Sequence, residues 1–409
     1  MMETTLQGSY PLKPSKEESV SAYYRAVETG EFIDPFLRLA EMYIEDQLRA
    51  GIDIISDGSQ LRSDMVRIFT SKIAGIRDRG KPVAERKLVR RGPIMVEDVK
   101  YARKLIPPYA SLKAIITGPY TLAMNCEFVH TAYSDYRELA FDFARILNEE
   151  LREVILAVPD IVYVQVDEPV FSVDFPDFAR ELVDLLRDGI DKEFALHVCG
   201  DVAPIFDRLV ELGFDILDHE FTERPELLDV VADSGFSGKI GYGCVDNKSN
   251  RVESVAEIEE RIGYAIEKLG KERLIIKPDC GFRYLKRESA FKKMENMVKA
   301  RNNLLDVPTI AAKRTYLKRK DFDPAGYFYI TVDEDKGEIV VRHYNYHHIL
   351  DRVITGRSAL DIANSIINQG LVSETRNGLR HIAYITEELI KAERSLKEGK
   401  RYIQDEGIE

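Results

Sequence analysis

Eight short runs rich in apolar and β-branched residues recur along roughly the first three hundred positions: TTLQGSY, DIISDG, AIITGP, IVYVQVDEP, FALHVCG, FDILDHEF, KIGYGCVD and RLIIKPDCG. Between most of them lie stretches such as SDYRELAFDFARILNEELREVIL, FPDFARELVDLLRDGI, APIFDRLVELG and SVAEIEERIGYAIEKLG, whose apolar residues return every three or four positions, as on one face of a helix. Eight strand-helix units in series predict a (β/α)8 TIM barrel with its active site where strands end and loops begin. Ser71 to Lys113 is too long for a simple crossover. It reads as an inserted hairpin followed by the helix MVEDVKYARKL over the barrel mouth.

The pattern changes near Pro308, so the barrel is expected over 1–306 and a smaller α+β domain over 307–409. There GYFYITVDEDKGEIVVRHY reads as two strands joined by an acidic, Gly-containing turn. HHILDRVITG, SALDIANSIINQG and the segment around TRNGLRHIAYITEELIKAERSLKEG carry helical spacing.

Composition narrows the function classes. Hydrophobic residues make up 44% and charged residues 31%, and every apolar run is far shorter than the roughly 18 residues that cross a bilayer. No membrane association is expected. The N-terminal MMETTLQGSYPLKPSKEE lacks the basic and apolar regions of a signal peptide, so a cytoplasmic location is expected. A net charge of −12 argues against nucleic-acid binding, and the basic stretches KLVRRG and KRTYLKRKDF read as solvated faces. Four cysteines without small-domain spacing favour thiols or metal ligation over disulfides.

The cysteines carry the chemistry. His197 and Cys199 in LHVCG share one face of a strand, which ordinary packing also explains. Glu220 then ends the next strand and Cys280 the last, so all four residues are expected to converge on the barrel mouth as a Zn²⁺ site. Two thiolates and a carboxylate make the metal a poor Lewis acid toward water but leave a zinc-bound substrate thiolate nucleophilic. Cys126, in the helical stretch TLAMNCEF, reads as a buried small hydrophobe, and Cys244 at a strand end is not expected to ligate.

The chain resembles the catalytic C-terminal barrel of the cobalamin-independent methionine synthase family. The likeness runs in family order through GSYP, DGSQLRSDM, TGPYT, QVDEP, HVCGD, the Glu220 strand, GCVDNKS and KPDCG. It implies zinc on His197, Cys199, Glu220 and Cys280, with homocysteine sulfur as methyl acceptor. It also implies that Asp167 holds the substrate amine, and Gly8 with Ser9 its carboxylate. A carboxylate suits an ammonium, and exposed backbone N–H groups suit an anion. Two positions depart from the folate-using members. Ser59 stands where they carry an amine-binding glutamate, and Lys248 where they carry a catalytic histidine. Both departures resemble the short archaeal-type synthases, which implies a methylated corrinoid or corrinoid protein as donor. A methyl-cobalt bond needs no proton delivered to a leaving nitrogen. The insert could dock such a partner or act as a plain lid. Two alternatives stay open: methyl transfer to another thiol such as coenzyme M, and a non-catalytic corrinoid- or pterin-binding regulator. The 307–409 segment resembles a small domain of unknown role appended to archaeal one-carbon proteins. Its His343, His347 and His348, interleaved with tyrosines, read as a domain or subunit contact more than a second metal site.

Overall fold

The eight apolar runs all become parallel strands of one sheet. In chain order the strands are β1 (Glu3–Thr4), β2 (Ile54–Ser56), β3 (Ile73–Asp78), β4 (Pro82–Arg90), β5 (Ser111–Thr117), β6 (Glu127–Phe128), β7 (Ile161–Asp167), β8 (Glu193–His197), β9 (Ile216–Glu220), β10 (Lys239–Val245) and β11 (Leu274–Pro278). The computed structural model describes residues 2–13, 34–61, 64–107, 110–305, 325–333, 336–344, 350–399 and 402. The barrel sheet has the order β1-β11-β10-β9-β8-β7-β5-β2, and a bridge from Thr5 to Ile54 joins its two ends. Side chains reinforce that seam. The backbone N–H and hydroxyl of Thr4 donate to Asp53 Oδ2 at 2.7 and 2.6 Å, and Arg301 Nη1 approaches the same oxygen at 2.8 Å.

Strand periodicity explains where the chemistry sits. Ile54, Tyr163, Ala195, Ile216 and Ile275 pack together as an apolar layer inside the barrel. Two residues further along the same strands are Ser56, Gln165, His197, Asp218 and Lys277, all buried. Two further again come Asp167, Cys199, Glu220 and Asp279. Successive residues of a strand alternate in face, so an apolar floor below polar layers follows directly from the sequence. The intervening Ile55, Val164, Leu196, Leu217 and Ile276 belong to the larger core beneath the helices.

The expected helices form at Val96–Leu105, Tyr136–Ala157, Ala179–Arg187, Phe206–Glu211, Val255–Leu269, Ala359–Asn368 and Arg376–Lys397. Val255–Leu269 starts at a capping box in which Ser254 and Glu257 satisfy each other's backbone N–H. Two helices not anticipated from the sequence, Pro35–Ala50 and Arg287–Leu304, are tied together by Arg287 Nε and Asp46 Oδ2 at 2.8 Å. Cys126 lies just beyond the short helix Pro119–Met124 and is buried.

In the insert, β3 and β4 form an antiparallel hairpin, extended by β6. The reading of KLVRRG as a solvated face holds at Lys87, which is exposed and pairs with Glu138, and is corrected at Arg90, whose Nη2 reaches the fully buried Glu150 at 2.6 Å. Glu150 also accepts the Met95 N–H at 2.7 Å. These cations brace the hairpin against the helix Tyr136–Ala157, leaving less of the insert's charge for a partner.

Beyond the barrel, β12 (Tyr327–Asp333), β13 (Glu338–Tyr344) and β14 (Leu350–Gly356) form an antiparallel sheet in that order. The helix expected over HHILDRVITG is overturned, because β14 occupies Leu350–Gly356. Leu350, Val353 and Ile354 mimic helical spacing, but the β-branched Val-Ile-Thr run pairs with β13, and only Ile354 of the three is buried. His343 lies on β13 with Nδ1 3.1 Å from Asp351 Oδ2, whereas His347, His348, Pro308, KRTYLKRKDF and the expected boundary at 306–307 lie outside the described residues.

Candidate metal and acceptor site

β8 and the loops after β8 and β11 bring three side chains that could ligate a metal to one point. His197 Nε2 lies 2.9 Å from Cys199 Sγ and 3.5 Å from Cys280 Sγ, and the two sulfurs are 3.3 Å apart. All three donor atoms fall within 4.8 Å of one another. A nitrogen and two sulfurs at this spacing fit Zn²⁺, which prefers imidazole and thiolate donors. The sulfurs share a hydrogen bond that pushes the Cys199 thiol up and draws Cys280 well down toward thiolate.

His197 is held from behind. Its Nδ1 lies 2.6 Å from Asp218 Oδ1, which leaves Nε2 directed at the sulfurs. Burial alone would keep this imidazole neutral, but the Asp218 carboxylate outweighs it and pushes the ring up to about 10. Lys277, fully buried, pairs with the same carboxylate and also reaches the Asp279 carbonyl at 3.0 Å. Burial disfavours an Asp218 anion, yet the lysine and the imidazole together hold it well below the usual carboxylate range.

Glu220 is not among the three clustered donors. It is buried at the end of β9, near enough to Cys199 for its charge to raise that thiol, and its Oε2 lies 3.7 Å from Lys248 Nζ. Lys248 is half exposed and bonds Glu223 Oε2 at 2.6 Å. Cys244 points away from the site into the outer core, its sulfur 3.5 Å from the Lys277 carbonyl.

Asp167 stands beside this cluster, paired in register with His197 on the neighbouring strand. Its Oδ1 accepts from Gln165 Nε2 at 2.7 Å and from Gln7 Nε2 at 3.4 Å. Lys113 Nζ in turn donates to Gln165 Oε1 at 2.6 Å, and burial lowers this lysine to about 7. Gly8 adopts φ 117°, a conformation open to glycine, and Ser9 accepts the Phe282 N–H at 2.9 Å. Gly281 permits that approach, since a Cβ there would lie 1.9 Å from Ser9 Oγ. Ser59 is buried, and its hydroxyl and backbone N–H both donate to Asp57 Oδ1, at 3.0 and 3.1 Å. The expected binding residues Gly8, Ser9, Ser59 and Asp167 thus all lie on or just beyond β1, β2 and β7.

Sequence reasoning missed Asp218, Lys277, Lys113, Gln165, Gln7 and Asp57. A signal was present. Lys113, Gln165, Asp218 and Lys277 interrupt apolar strands at alternate, inward positions, where an ionisable or amide group needs a buried partner. Gln7 Oε1 and Asp57 Oδ2 remain buried without a hydrogen-bond partner among the described residues.

A cleft of about 610 Å³ opens between Asp64–Arg67, the β3–β4 turn at Gly80–Pro82, Thr121 and Pro169. Among the described residues no helix is long and apolar enough to cross a membrane.

Residues 2–303 match a family model described as the cobalamin-independent synthase catalytic domain, and residues 322–405 match one described as PterinBD-DUF4346. A methionine synthase of Methanocaldococcus jannaschii is 38% identical over 315 residues, covering 73% of this chain and 98% of its own. One from Methanothermobacter thermautotrophicus is 36% identical over 313 residues, covering 74% and 100%. The B12-independent methionine synthase of Shewanella sp. W3-18-1, solved with selenomethionine, has the same barrel fold at a TM-score of 0.62 and 23% identity, covering 75% of this chain and 99% of its own. The extent of these matches and the order of the strand-end motifs agree: the chain belongs to the cobalamin-independent methionine synthase family.

Proposed function

We propose that this chain is a zinc-dependent, cytoplasmic S-methyltransferase that converts homocysteine to methionine, with a methylated corrinoid or corrinoid protein as donor. The observation carrying the reading is the convergence of His197, Cys199 and Cys280 next to Asp167, a thiol-binding metal centre beside an amine-binding carboxylate. His197, Cys199 and Cys280, with Glu220 as a fourth ligand, would hold zinc, which would keep the acceptor sulfur as thiolate at neutral pH. The chain's own residues do the rest. Asp218 fixes the His197 ring, and Asp167 holds the amine. The backbone at Gly8 and Ser9 receives the carboxylate, and Ser59 lines the same end of the barrel. Lys248 sits within reach of Glu220 and is suited to hold that carboxylate when it is not on the metal.

In the transfer, a sulfur lone pair forms the new S–C bond, the Co–C bonding pair stays with the corrinoid, and the thiol proton is released. No group of the protein has to protonate a leaving nitrogen, which fits a lysine at position 248. Support for a protein-borne donor comes from the rim. Val173 and Tyr284, on loops after β7 and β11, are 85% and 89% exposed, more than any other large apolar residue among those described. The PterinBD-DUF4346 match beyond the barrel is consistent with one-carbon chemistry.

The test is zinc analysis of the purified chain together with incubation of homocysteine with methylcobalamin or a methylated corrinoid protein. Methionine formation supports the reading. Stoichiometric zinc with no methionine from these donors or from methyltetrahydrofolate overturns it. Asp167→Asn is expected to abolish homocysteine turnover, and turnover of coenzyme M in its place would mark the other thiol as the acceptor.

A further inference from the structure

We propose that Gln7 reads the amino group of the acceptor, acting beside Asp167 as a specificity residue. The inference deepens the methyltransferase reading and rests on it. Gln7 is 3% exposed and lies two residues past Thr5, where the chain leaves the β1–β2 seam at the mouth of the barrel. Its amide orientation is set by its neighbour. The N–H2 faces Asp167 Oδ1 at 3.4 Å, because the reverse would put an oxygen against a carboxylate. Gln165 donates to the same carboxylate oxygen at 2.7 Å and also to the backbone carbonyl of Gln7 at 3.4 Å. Lys113 donates to Gln165, and Gln165 and Gln7 both donate to Asp167, so the N–H2 of Gln7 is used and its Oε1 is left over. That oxygen is buried and has no partner among the described residues.

An acceptor left unsatisfied in a barrel interior is costly, and a leucine would fill the same space without that cost. A ligand donor resolves the difference. The chemistry beside a carboxylate and an amide oxygen is that of a protonated primary amine, whose several N–H bonds can reach both. The amide dipole adds directional selection to the charge of Asp167: a thiol with an ammonium is retained, and one bearing a methylene or a sulfonate there leaves the oxygen unsatisfied.

The test is calorimetric titration of the zinc-loaded full chain with homocysteine and with its des-amino analogue, a sulfanylbutanoate. Wild-type protein is expected to prefer homocysteine. Gln7→Leu is expected to reduce that preference about tenfold or more, with bound zinc and affinity for the des-amino thiol unchanged. In turnover the loss should appear in KM for homocysteine more than in kcat. Gln7→Met, close in size and without the amide oxygen, should lose the preference in the same way and serves as the second variant if the leucine form is unstable. An undiminished preference in Gln7→Leu, or equal weakening of both thiols, overturns this inference and leaves the methyltransferase reading standing. Wild-type protein that binds neither thiol overturns both.

Discussion

Asp218 Oδ1 lies 2.6 Å from His197 Nδ1 and also carries the pairing of buried Lys277. One carboxylate thus orients the candidate metal-ligand imidazole and neutralises a lysine with no access to water. Outer partners of this kind typically contribute about 10–100-fold in metal affinity. Asp218→Asn is expected to weaken zinc binding by about that factor, measured by competition with a chromophoric chelator, and unchanged affinity would contradict the arrangement. Asp218→Ala should also lower stability by about 3–5 kcal/mol in urea denaturation, because it strands the Lys277 charge.

Cys199 and Cys280 lie 3.3 Å apart, whereas Glu220 faces Lys248. Cys199→Ser and Cys280→Ser are therefore expected to lose bound zinc on dialysis, and Glu220→Gln to retain more of it under identical conditions. Elemental analysis of the three dialysed variants decides this. Equal loss in all three would show that the carboxylate holds the ion as firmly as the sulfurs do.

Burial raises the Asp57 carboxyl to about 7, against the two hydrogen bonds from Ser59 that favour the anion. Its value in the unfolded chain is near 3.9. Between about pH 4 and pH 7 the folded chain binds the extra proton, so Asp57 favours folding at the acid end and loses that contribution as pH rises through 7. Asp57→Asn keeps an oxygen for Ser59 and carries no charge. Its stability relative to wild type should be higher at about pH 7.5 than at about pH 5, read from urea midpoints. A pH-independent difference would exclude a buried, raised carboxyl.

A Cβ on residue 281 would sit 1.9 Å from Ser9 Oγ. Gly281→Ala is expected to displace the Gly8–Ser9 segment, cost about 1–3 kcal/mol in stability and raise the homocysteine KM while zinc stays bound. Thermal unfolding, zinc content and steady-state kinetics on one preparation separate these effects, and an unchanged KM would detach Ser9 from the acceptor site.

The barrel was legible in the sequence because its strands are buried on both faces and flanked by amphipathic helices, so eight apolar runs stood out. His197, Cys199 and Cys280 were legible because thiols and imidazole at strand ends have few structural uses together. Other parts were not. The β14 segment carries i, i+3 and i+4 apolar spacing, and only its pairing with β13 selects the strand. Lys113 and Lys277 look like surface charges when read singly. Their burial depends on Gln165 and Asp218, which lie 52 and 59 residues away in sequence. Glu220 ends β9 and is buried as expected, but its contact with Lys248 was not legible, because strand-end position does not say which loop cation reaches the carboxylate.

The contact of Ser9 with the segment after β11 has a further consequence. Gly8 and Ser9 precede nearly all of the barrel sequence and Cys280 follows nearly all of it, yet Phe282 N–H bonds the Ser9 carbonyl at 2.9 Å and β1 pairs with β11. The proposed acceptor pocket is therefore sewn from the two extremities of the barrel. A chain emerging from the ribosome holds most of the barrel before it holds the segment after β11, so closure of the ring and completion of the proposed acceptor site arrive as a single event.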